Sequence, residues 1–171
     1  IIDFHTHMFP DKIAARTIDF LSKTGGDMNP FTDGTWKGLK ESTKQAGIDH
    51  SIVLPIATRP GQFHTINEFA THFQEGTLIS FGSLHPESEN YKEELKQIQD
   101  MGMKGIKLHP DYQDTYFNDI RYKRIISYAT ELGLIISVHA GRDPKCPDNI
   151  HCTPAMAEEV LNEVEPEKLV L

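Results

Sequence analysis

The feature that most constrains this chain is a rhythm. Short apolar runs rich in β-branched residues return at Ile1 to Phe4, Ser51 to Ile56, Leu78 to Leu84, Met103 to Leu108, Leu134 to Val138 and Leu169 to Leu171. From the second run onward their starts lie about 25 to 35 residues apart, and helical periodicity fills the gaps. Tyr91, Leu95, Ile98 and Met101 follow the 3.6-residue repeat, as do Tyr122, Ile125, Ile126, Ala129 and Leu132. Thr153 followed by Pro154 reads as an N-cap and first helical residue for a helix running to about Val164. Near-continuous Ile/Val/Leu strands alternating with helices belong to a parallel sheet whose faces are covered by those helices. The pattern predicts parallel strands at about 1–7, 51–56, 78–84, 103–109 and 134–139, and both a doubly wound sheet and a (β/α)8 barrel accommodate them.

Arithmetic adds an expectation about extent. Five complete βα units occupy roughly residues 1–167 and a sixth strand begins at Lys168, whereas an eight-unit barrel takes about 250 residues. A barrel would therefore be represented by its first five to six units, in one incomplete domain spanning 1–171, and would continue past Leu171 by roughly 80 to 100 residues. The first connection, residues 8–46, is unusually long, and is expected to hold two helices around the Gly25-Gly26 to Gly34 loop and to cover a site at the top of the sheet.

Composition narrows the functional classes. With 17 Lys+Arg against 25 Asp+Glu the formal charge is -8, and no basic cluster offers a nucleic acid a surface. No apolar run approaches the length of a bilayer span and no signal-peptide pattern appears, so the expectation is a cytoplasmic chain with no membrane partner. Two cysteines, Cys146 and Cys152, are too few for a disulfide framework.

The chemistry concentrates at strand ends. In Asp3-Phe4-His5-Thr6-His7, strand alternation would turn His5 and His7 to one face, with Asp3 one layer deeper. Two imidazoles on a rigid strand suit a zinc-type cation, and parallel α/β folds build their sites at the carboxyl ends of strands. His139 closes the run Leu134 to Val138 at the equivalent end of another strand. Three histidines converging from two strand ends would give a catalytic metal three ligands and one open position.

These residues carry a resemblance. Asp3-Phe4-His5-Thr6-His7 with Phe9-Pro10 is similar to the opening of amidohydrolase-superfamily barrels, and Gly105-Ile106-Lys107-Leu108-His109-Pro110 and Ser137-Val138-His139-Ala140-Gly141 resemble their fourth and fifth strands in the amidohydrolase 2 branch, which includes aminocarboxymuconate semialdehyde decarboxylase. The resemblance implies a (β/α)8 barrel and one divalent metal held by His5, His7 and His139, zinc first and manganese or iron as alternatives. It also implies a further His and a general-base Asp beyond Leu171.

Other residues are candidates for substrate contact. Lys107 shares a strand face with Gly105 and His109, and three readings stand open: a carbamate bridging two metals as in the wider superfamily, a cationic contact to substrate or to the residues that support the metal ligands, or a lysine snorkelling from the barrel end. His109 and His85 lie in Leu-His-Pro triplets and either hydrogen-bond substrate or cap turns. Arg142 clamps a substrate carboxylate or pairs with an acid such as Asp143. Cys146, His151 and Cys152 do not match the spacing of a zinc knuckle.

The resulting expectation is a metal-dependent hydrolase of amides, lactones or esters acting on a small, carboxylate-bearing molecule through metal-activated water. A non-oxidative decarboxylase of unsaturated or aromatic acids is the second reading. A metal phosphoesterase of the histidinol-phosphatase or TatD type and a non-catalytic metal-binding half-barrel complete the alternatives. The expected partner is a small-molecule substrate, with room for a homodimer.

Overall fold

The computed structural model describes residues 1–26, 28–73 and 76–171. Its strands are β1 (Ile2–Thr6), β2 (His50–Val53), β3 (Leu78–Ser80), β4 (Gly82–Ser83), β5 (Gly105–Leu108), β6 (Ile135–Val138) and β7 (Leu169–Val170). The helices are α1 (Asp11–Thr24), α2 (Trp36–Gln45), α3 (Phe63–Thr71), α4 (Tyr91–Asp100), α5 (Ile120–Glu131) and α6 (Pro154–Val164). Every ladder is parallel, in the orders β1-β2-β3 and β4-β5-β6-β7. The two ladders share one lane, because β3 and β4 are a single run interrupted at Phe81, and together they form a partial (β/α)8 barrel.

That interruption departs from the unbroken strand expected over 78–84. The run pairs with β2 through Leu78 to Ser80 and with β5 through Gly82 and Ser83. Strands in a barrel tilt and stagger, so one strand bonds its two neighbours over different residues. Phe81, 1% exposed, sits at the changeover. Gly105 makes room for it, since a Cβ there would lie 2.5 Å from the Phe81 ring.

Two apolar layers flank the sheet. Outside, Ile106, Leu108, Ile136 and Val138 pack against Leu95 and Ile98 of α4, Tyr122, Ile125, Ile126 and Ala129 of α5, and Ala157 and Val160 of α6. The helical stripes read from the sequence are the ones buried. Farther round, Leu39 of α2 packs with Met8, Val53 and Leu78. Inside, Ile52, Leu54 and Phe81 form a separate cluster with Phe4, Ile79 and Ile135 as partly buried neighbours. Asp27, within the expected cover at 8–46, lies outside the described residues. No described helix is long and apolar enough to cross a membrane.

Local signals close the helices as their chemistry dictates. The Thr153 hydroxyl accepts from the Met156 N–H at 3.3 Å, with Pro154 opening α6. Asp119 caps α5 more strongly: its carboxylate accepts from the Arg121 N–H at 2.8 Å and from Nε and Nη2 of the Arg121 guanidinium, each at 2.9 Å. These Arg121 bonds hold the Asp119 carboxyl down at about 2. A carboxyl whose folded value is depressed contributes stability above its unfolded value, near 4, and loses it as the pH falls through the folded value. Asp119→Ala should therefore lower stability by about 1 kcal/mol at neutral pH. In urea titrations the gap between variant and parent should narrow between about pH 4 and pH 2, and a constant gap across that range would contradict the assignment.

Candidate metal and substrate site

The His-Thr-His segment owes its geometry to a β-bulge. Along β1, Asp3 pairs with Ser51 but Thr6 pairs with Val53, so β1 carries one more residue than its partner between those points. Laterally paired residues share a face. Ser51 bonds Thr43 of α2 at 2.9 Å and Val53 packs with Leu39, so Asp3 and Thr6 face the helices. Phe4 joins the inner cluster, and the extra residue lets His5 also turn inward, followed by His7. Asp3 is therefore not one layer beneath the histidines as alternation alone implied. It braces them differently, its carboxylate accepting from the His5 N–H at 3.2 Å. The two rings lie 5.1 Å apart, centroid to centroid.

Hydrogen bonds assign the protons on these rings. His7 Nδ1 lies 2.8 Å from the Leu54 carbonyl, which can only accept, so Nδ1 carries the proton and Nε2 keeps its lone pair. Burial, then the neighbouring His5, pushes the His7 ring down to about 4, and burial followed by the Lys107 charge lowers His5. Both rings are thus biased toward the neutral form that ligates metal.

At the end of β5 the arrangement is reversed. His109 Nδ1 lies 3.3 Å from the Tyr112 N–H, which can only donate, so Nδ1 holds the lone pair and Nε2 carries the proton. The ring stacks on Tyr112 at 3.9 Å and on His139 at 4.2 Å, and burial, then His139, drives it down to about 2. His109 is a neutral donor. Lys107, one layer deeper on the same face, is 0% exposed, and its Nζ has no hydrogen-bond partner among the described residues. Snorkelling is excluded, because the ammonium does not reach solvent. Burial lowers it to about 8.

His139 follows β6, its N–H donating to Leu108 O at 3.0 Å. Its Nε2 is enclosed and has no hydrogen-bond partner among the described residues. Asp143, 4% exposed, brings Oδ2 to 3.5 Å from His139 Nε2 and 3.9 Å from His109 Nε2, while its Oδ1 accepts from the Lys145 N–H at 2.8 Å. Among the described residues, His109, His139 and Asp143 are the group of three whose potential ligand atoms all lie within 4.8 Å of one another. His5, His7 and His139 do not form such a group, although the charge of His139 contributes to the lowering of both His5 and His7.

The remaining sequence candidates have plainer surroundings. His85 accepts from the Glu87 N–H at 3.3 Å and so caps its own turn. Arg142 is exposed and donates from Nε to Pro147 O at 3.2 Å, with no ion pair to Asp143 among the described residues. Both cysteines are free. His151 pairs with buried Asp111 at 3.0 Å, tying the loop after β5 to the loop after β6. Gln113 is a hub that sequence reading missed. Its amide donates to Ala57 O and Leu84 O, each at 2.8 Å, and its Oε1 accepts from the His109 N–H at 3.0 Å and the Tyr122 hydroxyl at 2.7 Å. Asp143, four residues after His139, had a readable spacing; the Asp111–His151 contact, spanning 40 residues, had none.

Comparisons with known proteins agree with this architecture. The profile of a family described as Amidohydrolase matches residues 2–164. No curated protein matches the chain. Among solved structures, 5-carboxyvanillate decarboxylase from Sphingomonas paucimobilis superimposes with a TM-score of 0.66 at 11% identity, covering 99% of this chain and 66% of its own. The enzyme of the same name from Novosphingobium aromaticivorans, complexed with manganese and 4-hydroxy-3-methoxy-5-nitrobenzoic acid, gives 0.64 at 12% identity, with 86% and 52% covered. A protein described as a 2-pyrone-4,6-dicarboxylic acid hydrolase from Acinetobacter baumannii, with citric acid bound, gives 0.51 at 13% identity, with 81% and 49% covered. At these identities the likeness shows a shared fold. The chain spans about half the length of several of these solved chains.

Because Gln113 satisfies two carbonyls and holds the His109 backbone, Gln113→Ala should lower stability by about 2 to 3 kcal/mol through the groups it leaves buried and unpaired. Chemical denaturation measures this, and a loss below about 0.5 kcal/mol would mean that water replaces the amide.

Proposed function

The chain belongs to the amidohydrolase family, and on that premise we propose that it serves a metal-dependent hydrolase that cleaves an amide, lactone or ester bond of a small, carboxylate-bearing molecule. His5, His7 and His139 would hold one divalent metal. The observation that carries this reading is the state of the donors: His7 presents a lone pair at Nε2 because its other nitrogen is spent on the Leu54 carbonyl, and His139 Nε2 is enclosed without a partner. Neutral imidazoles suit zinc first, and the manganese in the 5-carboxyvanillate decarboxylase of like fold keeps that metal in consideration. When bound, such a metal supplies Lewis acidity, lowering the pKa of a coordinated water and polarising a carbonyl.

The chain's own residues perform the remaining tasks. The Leu54 carbonyl fixes the orientation of the His7 ring, and the Asp3 carboxylate fixes the backbone of His5 at the bulge. Asp143 Oδ2 lies 3.5 Å from His139 Nε2, on the nitrogen that would face the metal, and so would add a negative charge beside it. His109 faces the same space as a proton-bearing, uncharged donor able to bond an oxygen that gains negative charge. A second reading, loss of CO₂ from an aromatic or unsaturated acid, draws support from the decarboxylases among the solved structures of like fold.

Elemental analysis of the purified chain, with His7→Ala and His139→Ala beside it, tests the metal assignment. Each substitution should reduce bound metal by about tenfold or more with the circular dichroism spectrum unchanged. Stoichiometric metal retained in His7→Ala would overturn the ligand set. In the full-length protein, incorporation of ¹⁸O from water into product indicates hydrolysis, whereas release of CO₂ without it indicates decarboxylation.

A further inference from the structure

Lys107 presents an unresolved electrostatic problem. Its neighbours on β5, Ile106 and Leu108, pack outward into the helix layer, so alternation turns Lys107 to the barrel interior. There it is wholly enclosed, and among the described residues no hydrogen bond or ion pair satisfies Nζ. The carbonyl of Lys107 is taken by the Ser83 hydroxyl at 3.0 Å, which fixes the strand but does nothing for the ammonium. Buried charges without a partner are costly, and protein interiors normally provide one. Its charge helps to depress His5, His7, His109 and His139, and of these His109 lies two residues along the same strand face. None of the four offers it a negative charge.

The next inward-facing residue has a matching need. His109, two positions along, holds its proton at Nε2 because Tyr112 occupies Nδ1. Asp143 Oδ2, at 3.9 Å, is beyond hydrogen-bonding distance. One strand face therefore presents a positive donor and a neutral donor in succession, neither of them satisfied within the described residues.

We propose that the inward face of β5 is an anion subsite in which Lys107 Nζ and His109 Nε2 together bind one carboxylate group of the substrate. One positive charge and two donors match the one negative charge and two oxygens of a carboxylate, whereas a phosphate would bring more charge than a single lysine neutralises. The subsite names the substrate feature recognised in the site proposed above, but its charge argument uses no metal. The two ideas therefore fail separately.

The test uses benzoate as probe on the chain after treatment with chelator, with calorimetry reading affinity and thermal melting reading stability. Lys107→Met keeps the buried stem and removes the charge, and His109→Phe keeps the stack on Tyr112 and His139 but removes the donor. Lys107→Met should weaken benzoate binding about tenfold or more, and His109→Phe several-fold. Without ligand, Lys107→Met should melt at or above the parent's temperature, because it removes an unpaired buried charge, and benzoate should raise the melting temperature of the parent more than that of either variant. Unchanged benzoate affinity in Lys107→Met would overturn the proposal. Inorganic phosphate binding more tightly than benzoate would overturn the carboxylate assignment. Appearance of a ¹³C carbamate resonance on Lys107 in labelled bicarbonate would overturn it as well, since a carbamylated lysine carries no positive charge. Loss of metal from His7→Ala with benzoate binding intact would separate this subsite from the metal reading.

Discussion

On β5, Ile106 and Leu108 turn outward into the packed layer of α4, α5 and α6, and because successive side chains leave a strand on opposite faces, Gly105, Lys107 and His109 are forced inward. The apolar layer anchors that register. Sliding the strand by one residue would drive a lysine and a histidine into the helices, so the outer core dictates what the interior displays. Gly105 then accommodates Phe81, and Phe81 marks the point where its run passes from β2 to β5. The curvature of the barrel and the chemistry of its mouth both derive from one pattern of alternation.

The four histidines near the mouth are chemically alike and differ in role through the backbone groups they meet. His7 faces a carbonyl and His109 faces an N–H, so one exposes a lone pair and the other a proton. Burial keeps both neutral, and neither assignment needs a charged partner. This division arises from where each strand ends relative to its neighbour's loop, a property of the fold rather than of the residue type.

The strands, the helical stripes and the Thr153-Pro154 cap were legible because each rests on local periodicity or on one residue's hydrogen-bonding preference. Four features were not. The bulge in β1 depends on a register offset against β2, which the β1 sequence does not encode. The break at Phe81 reflects the stagger of the closed sheet. The Asp111–His151 pair and the Gln113 hub join residues many positions apart, where no spacing rule operates. The candidate histidines could be located by their strand ends, but the identity of the nitrogen each presents required the neighbouring backbone.

Parallel pairing also sets an order of events during synthesis. The Thr6 hydroxyl bonds Ile52 O across 46 residues of chain, and no nearer strand can take its place. At translation speeds of about 5 to 20 residues per second, the first strand waits roughly 2 to 9 seconds before its neighbour exists. Throughout that interval the ladder edge that later positions His5 and His7 is bare, and α1, which emerges first, cannot cover it by hydrogen bonding. Among the described strands, the one that leads into His5 and His7 thus waits longest for the neighbour that follows it, open to chaperones and free metal ions in the meantime.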